Sequence, residues 1–398
     1  MHGAGRNPIL SDVNDRIALV LGAGGIAGGV YELGVLSALD DFIVRGRSVG
    51  EFDVYVGISA GSLPAAFLAN GIPVKEMCRS ILGQEGHPLL FRREDIYEIR
   101  LPALLRAGIR LLGGVVPVIR YLRRERQPVT FLNVLALLQQ YLPAGFFSNA
   151  NLERYVARIL SGKGLTNDFR ALRKELFIVA TELDRSERVV FGRDGASDVP
   201  ISRAIQASTA IPLFFEPVRI GDSWFIDGAA ERADHLDIPL SRGANLVIMV
   251  NPTVPVYNDR TVVCIPTLSG SCSSLTELGF TSVAEQTFRI NTRVKLELGI
   301  TLHRQRHPDA DILLLEPAPM DSTLFLYGSM NFSERIQALN YGYNSAAYFF
   351  MENFENLRTR LAKYGMEVSM EEVHADRFLE LATRAKGRRR FALKYSRP

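Results

Sequence analysis

RIALVLGAGGIAGGVYELGVLSALDDF, residues 16–42, decides the fold. Residues 16–21 are an apolar run of strand length. Residues 22–29 place five glycines in eight positions. Residues 30–42 then space apolar side chains as a helix does. Strand, glycine turn and helix in succession open an α/β fold. Working outward, FDVYVGIS (52–59) reads as a second strand and AGSLPAAFLAN (60–70) as the helix after it. Further strands read at ELFIVATEL (175–183), SWFIDGA (223–229) and NLVIMVNP (245–252), with a helix at ISRAIQAS (201–208). Strands alternating with helices predict an α/β three-layer sandwich with a mainly parallel central sheet.

Two regions fall outside that rhythm. Residues 87–150 are rich in Leu, Ile, Val and Arg and read as a helical insert in a domain spanning 16–350. Leu101, Leu104, Leu105, Ile109 and Leu112 share one helical face, with Arg106 and Arg110 on the other. Pro102, Pro117 and Gly113-Gly114 predict that this segment is broken into short helices. Residues 92–126 hold nine arginines against four acidic residues, a net of +5. A basic amphipathic helix suits an anionic membrane surface, and a cap over the core explains the same pattern. Residues 351–398 read as a helical C-terminal extension whose last part, 384–398, has seven Lys/Arg and no acid. That tail reads either as a solvated, frayed end or as a second contact with anionic lipid.

The chain has 398 residues, 47% of them hydrophobic, with a net charge of +3. This is an ordinary globular composition, and the charge is too small to call for nucleic acid. Three scattered cysteines (Cys78, Cys264, Cys272) argue against a disulfide framework and agree with a reducing compartment. The six histidines form no metal motif, although His303 and His307 are four apart. No secretory signal and no transmembrane run is read, so the expected location is cytoplasmic, peripheral at a membrane. No cofactor or metal is called for.

Three motifs carry chemistry. Gly57-Ile58-Ser59-Ala60-Gly61 is a GxSxG between strand and helix, where a tight turn thrusts the serine hydroxyl outward. Gly22-Ala23-Gly24-Gly25-Ile26 opens a helix and offers backbone N–H groups to an anion, either a phosphate or an oxyanion. Gly22-x-Gly24-x-x-Ala27 also matches a dinucleotide fingerprint. That fingerprint needs an acid at the tip of the second strand, and the GxSxG stands there instead. Asp227-Gly228-Ala229 follows an apolar strand and supplies a carboxylate base, which a serine hydroxyl needs before it attacks.

These three motifs, in this order, resemble the patatin-like phospholipase family. DVPISRAIQASTAIPLFFEPV (198–218) is similar to the helix and loop that precede the family's catalytic aspartate. The likeness covers about 16–83 and 165–255, and more loosely reaches 350. It implies a Ser-Asp dyad without histidine, with Ser59 the nucleophile and Asp227 the base. The N–H groups of Gly24, Gly25 and Ile26, joined by Ala60, form the implied oxyanion hole, with Gly22, Gly57, Gly61 and Gly228 supporting the motifs. It further implies a lipid or phospholipid substrate, hydrolysed as by a phospholipase A or lysophospholipase. A lipid transacylase with the same dyad, a catalytically weak lipid-binding relative and a dinucleotide-binding protein stay open at this point, as does a triad that adds His235. Many family members carry Arg or Lys just before the last glycine of the turn, where this chain has Ala27 or Gly28.

Overall fold

A computed structural model describes residues 15–84, 86–99, 101–258, 265, 272, 274–318 and 322–379. The basic tail 384–398 lies outside them. Five strands run parallel in the order Asp311–Leu315, Leu246–Val250, Ile17–Leu21, Val54–Ile58, Glu175–Glu182. Antiparallel strands Ser223–Asp227, Val218–Ile220 and Glu187–Phe191 complete the sheet. The first strand is buried at every residue, as expected of a parallel strand covered on both faces.

Period-two alternation separates two cores. Ile17, Leu19 and Leu21 face one, with Tyr55 and Ile178, beneath helices Gly25–Phe42 and Arg335–Glu352. Ala18 and Val20 face the other, with Val54, Val56 and Ile58, against Leu296 and Ile300 of helix Phe280–Arg306. The chain is therefore a three-layer α/β sandwich with a mainly parallel sheet. Residues past 350 join the first core: Leu357 and Leu361 are buried there, and Glu367–Val368 pairs with Ile43–Arg45.

The insert departs from its reading. Leu101–Arg124 is one 24-residue helix with Pro117 inside it, not a series of short pieces. A proline ring clashes with the carbonyl four residues earlier, and here that residue is Gly113, whose backbone can yield. Pro102 falls in the first turn, where no intrahelical N–H bond is lost. Helix Phe131–Leu138 follows, capped by the Thr130 hydroxyl accepting from the Asn133 N–H. The two ends of the insert meet: Glu98–Ile99 pairs with Gly145–Ser148, which pairs in turn with Leu213–Phe215.

The cysteines also depart from expectation. Cys272 is disulfide-bonded, while Cys78 is free and buried. An odd count leaves room for one pair, which parity cannot reveal. Among the described residues no cluster of His, Cys, Asp and Glu could hold a metal. His303 is turned instead to Asp234, 3.0 Å away and equally buried. No helix of the described residues is long and apolar enough to cross a membrane.

Candidate active site

One strand edge brings Ser59 and Asp227 together. Glu175–Glu182 pairs with Val54–Ile58 up to the couple Ile58–Val179. Its next residue, Ala180, pairs with Asp227 on the antiparallel strand. Strand Glu187–Phe191 pairs with residues 178–182 and so occupies the opposite edge. Val54–Ile58 and Ser223–Asp227 therefore share one edge end to end. The residue after Ile58 is Ser59, so the serine leaves its strand where the aspartate arrives.

Ser59 has φ of 53°, a left-handed conformation uncommon for a residue with a side chain. The turn 59–61 is 3-10, and the α-helix begins at Ser62, two residues later than the motif suggested. Tight packing explains the flanking glycines. A side chain at Gly57 would strike Ser62, one at Gly61 would meet Leu21 2.6 Å away, and one at Gly228 would strike the Val179 carbonyl. Gly22 is wedged below Val250, whose carbonyl accepts the Gly22 N–H at 3.0 Å.

Ser208 joins the two halves of the site and was not singled out in the sequence. Its hydroxyl oxygen accepts the Ser59 N–H at 2.8 Å, and its carbonyl accepts the Gly228 N–H at 3.4 Å. It lies inside the stretch 198–218, but helical spacing gives no sign that its side chain turns back to the serine. Asp227 is fixed by its own N–H to the Ala210 carbonyl and by the Ala229 N–H, which donates to Oδ1 at 2.9 Å. Oδ2 is buried with no hydrogen-bond partner. The Ser59 hydroxyl lies beside this carboxylate. Burial pushes Asp227 up to about 6, opposed by that hydroxyl and by the Ala229 N–H.

Ser59 is 1% exposed and opens onto a cavity of about 830 Å³, mouth included. Leu33, Phe67, Met77, Phe91, Leu152 and Ile211 are among its walls, and no described lining residue is charged. Gly25, Ile26 and Ala60 reach this lining, whereas Gly24 does not. A Cβ on Gly24 would fall 2.7 Å from Pro252, so this residue packs the turn rather than facing the cavity. Among the described residues, the amide N–H groups of Gly25, Ile26 and Ala60 bond to no other element. The Ala27 N–H is taken by the Ser329 carbonyl at 3.1 Å. Pro252 and Ser329 thus pack against the turn. Gly29 lets this helix touch the serine turn: a Cβ there would sit 3.1 Å from that of Ala60. Glu32, one turn further along, is fully buried, and desolvation holds its carboxyl well above the usual range.

His235 takes no part in a triad. Its Nε2 faces the Gly228 carbonyl at 3.3 Å and its Nδ1 faces Arg188, whose guanidinium is paired with Asp237. Burial and the Arg188 charge push it down to about 3, so it is a neutral prop under the Asp-Gly-Ala turn.

A model of the patatin-like phospholipase family matches residues 19–238. An uncharacterized protein, YqhO, of Bacillus subtilis (strain 168) is 26% identical over 217 residues, covering 52% of this chain and 61% of that protein. Probable lipid hydrolase 463L of Invertebrate iridescent virus 6 is 20% identical over 218 residues, covering 55% and 61%. The chain thus spans about three-fifths of the length of these two relatives. Among solved structures, VipD from Legionella pneumophila has 16% identity, a TM-score of 0.39 and coverage of 85% of this chain and 67% of its own. The type III effector protein ExoU has 16% identity and a TM-score of 0.27, covering 94% and 70%. The family match runs from the first strand to just beyond the Asp-Gly-Ala turn, more than half of the chain, and this protein belongs to the patatin-like phospholipase family.

Proposed function

We propose that the protein is a lipid acyl hydrolase of the phospholipase A or lysophospholipase type, working through an acyl-serine on Ser59 with Asp227 as base. The observation that carries this reading is the buried, unpartnered Oδ2 of Asp227 beside Ser59, at the head of an uncharged apolar cavity. An acyl chain lies in the cavity with its ester carbonyl at the serine. The Ser59 hydroxyl proton passes to Asp227 Oδ2 as Oγ bonds the carbonyl carbon. The negative oxygen is met by the N–H groups of Gly25, Ile26 and Ala60. Collapse breaks the ester bond, and the departing alkoxide takes the proton from Asp227. Water then attacks the acyl-serine, gives a proton to Asp227, and fatty acid leaves as Oγ recovers its hydrogen.

With no Arg or Lys at Ala27 or Gly28, oxyanion stabilisation falls to backbone dipoles alone. The same reading makes 16–350 the catalytic unit and places it peripherally at a membrane, through residues 92–126 and the basic tail. The test is labelling by a fluorophosphonate together with fatty acid release from phospholipid, for the wild type beside Ser59→Ala. We expect both signals from the wild type and neither from the variant. Equal labelling of the two proteins would remove Ser59 as nucleophile.

A further inference from the structure

Helix Leu101–Arg124 has two apolar faces, and the protein covers only one. Val118 and Leu122 are buried, at 2% and 0% exposure. Roughly opposite them, Leu105, Ile109, Leu112 and Val116 are 65%, 70%, 78% and 61% exposed. At about 100° per residue these four fall within an arc of about 60°. The next helix adds Phe131 and Leu132 at 79% and 72%. Isolated exposed apolar residues are ordinary, but an ordered stripe of this kind marks a contact surface.

Charge says what the contact is. Arg120, Arg123 and Arg124 are exposed, and no described acid pairs with them. Arg123 continues the line of the apolar stripe, with Arg120 and Arg124 to one side. A stripe ending in unpaired guanidinium groups matches a layer of hydrocarbon beneath a layer of phosphates, with the arginine stems lying along the boundary. The stem of the insert also forms part of the cavity rim. Ile96, three residues before Ile99, and Phe215, paired with Phe147, both line the cavity.

We propose that helices Leu101–Arg124 and Phe131–Leu138 dock the protein on an anionic phospholipid bilayer. They lie in the plane of the interface, with the Leu105–Val116 stripe in the acyl region and the arginine cluster at the phosphates. Delivery of lipid to Ser59 rests on the function proposed above, but docking itself does not.

Two variants and one reporter test this on the full chain. The variants are Ile109→Glu/Leu112→Glu and Arg120→Gln/Arg123→Gln/Arg124→Gln. Sedimentation with phosphatidylglycerol/phosphatidylcholine vesicles measures docking, and hydrolysis of a water-soluble short-chain ester measures the site separately. We expect each variant to lose at least tenfold in vesicle affinity while ester hydrolysis changes less than twofold. Raised salt should weaken the wild type and leave little further effect on the arginine variant. Leu112→Trp in a Trp224→Phe background should shift its fluorescence to the blue on adding vesicles. Vesicle binding equal to wild type in both variants overturns the proposal. So does wild-type protein that ignores vesicles yet forms a dimer that either variant dissociates. Vesicle binding without hydrolysis of any ester would sink the catalytic reading and leave docking standing.

Discussion

At the scale of the residue, Asp227 is held in a state that suits a base and burdens the fold. Burial disfavours its ionised form more than the Ser59 hydroxyl and the Ala229 N–H favour it, which is why its pKa is raised from 3.8 to about 6. In the proposed mechanism ionisation is needed for proton transfer, so the rate of Ser59 acylation should fall about tenfold per pH unit below about 6 and level off above it. Stability moves the other way. A raised carboxyl pKa means that nothing is lost below the unfolded value near 4. The penalty grows between there and about 6 and stays constant above. Two units amount to about 3 kcal/mol at most. Asp227→Asn should therefore lose on the order of 10²- to 10⁴-fold in acylation, yet unfold at higher denaturant than wild type at pH 8 and at the same denaturant at pH 4. Denaturation at the two pH values, beside labelling kinetics, checks both halves. The serine and the aspartate were legible in the sequence because their neighbours are glycines at a strand end. Ser208 was not, because its two bonds join residues about 150 and 20 positions away.

Elements show where reading the sequence succeeds and where it stops. The strand, glycine turn and helix of residues 16–42 were legible because each is a local pattern. The three-stranded sheet at 98–99, 145–148 and 213–215 was not, since its strands are short and their partners distant. Pro117 misled for another reason: a helix breaker is judged alone, while its cost depends on the residue four places earlier. Helix Gly25–Phe42 illustrates a contact hidden in two glycines. It crosses helix Arg335–Glu352 with Gly34 against the Leu339 carbonyl and Gly342 against the Tyr31 carbonyl. A methyl group at either has no room, and the obstacle is backbone on both sides. We expect Gly342→Ala to destabilise by about 1–3 kcal/mol despite the better helix propensity of alanine, with m unchanged in a urea titration. A neutral or stabilising result would mean that the two helices separate easily.

For the molecule as a whole, the sheet does more than bury a core. Its eight described strands are ordinary packing except along one edge, where residues 179 and 180 receive Ile58 and Asp227 in turn. That edge acts as a ruler for the chemistry, and a ruler tolerates bending better than a change of length. An alanine inserted between Val179 and Ala180 moves the aspartate by about 3.3 Å and turns its carboxyl to the other face of the sheet. Fluorophosphonate labelling should vanish even in the fraction that still folds. The same insertion in the exposed turn 184–186 leaves the spacing alone and should leave labelling within about twofold, since surface turns take insertions readily. The chain can thus lengthen in its loops and in its helical insert while one step of one strand stays fixed, so under the proposed mechanism new substrates can be met by changing the approach to the serine without touching its distance from the aspartate.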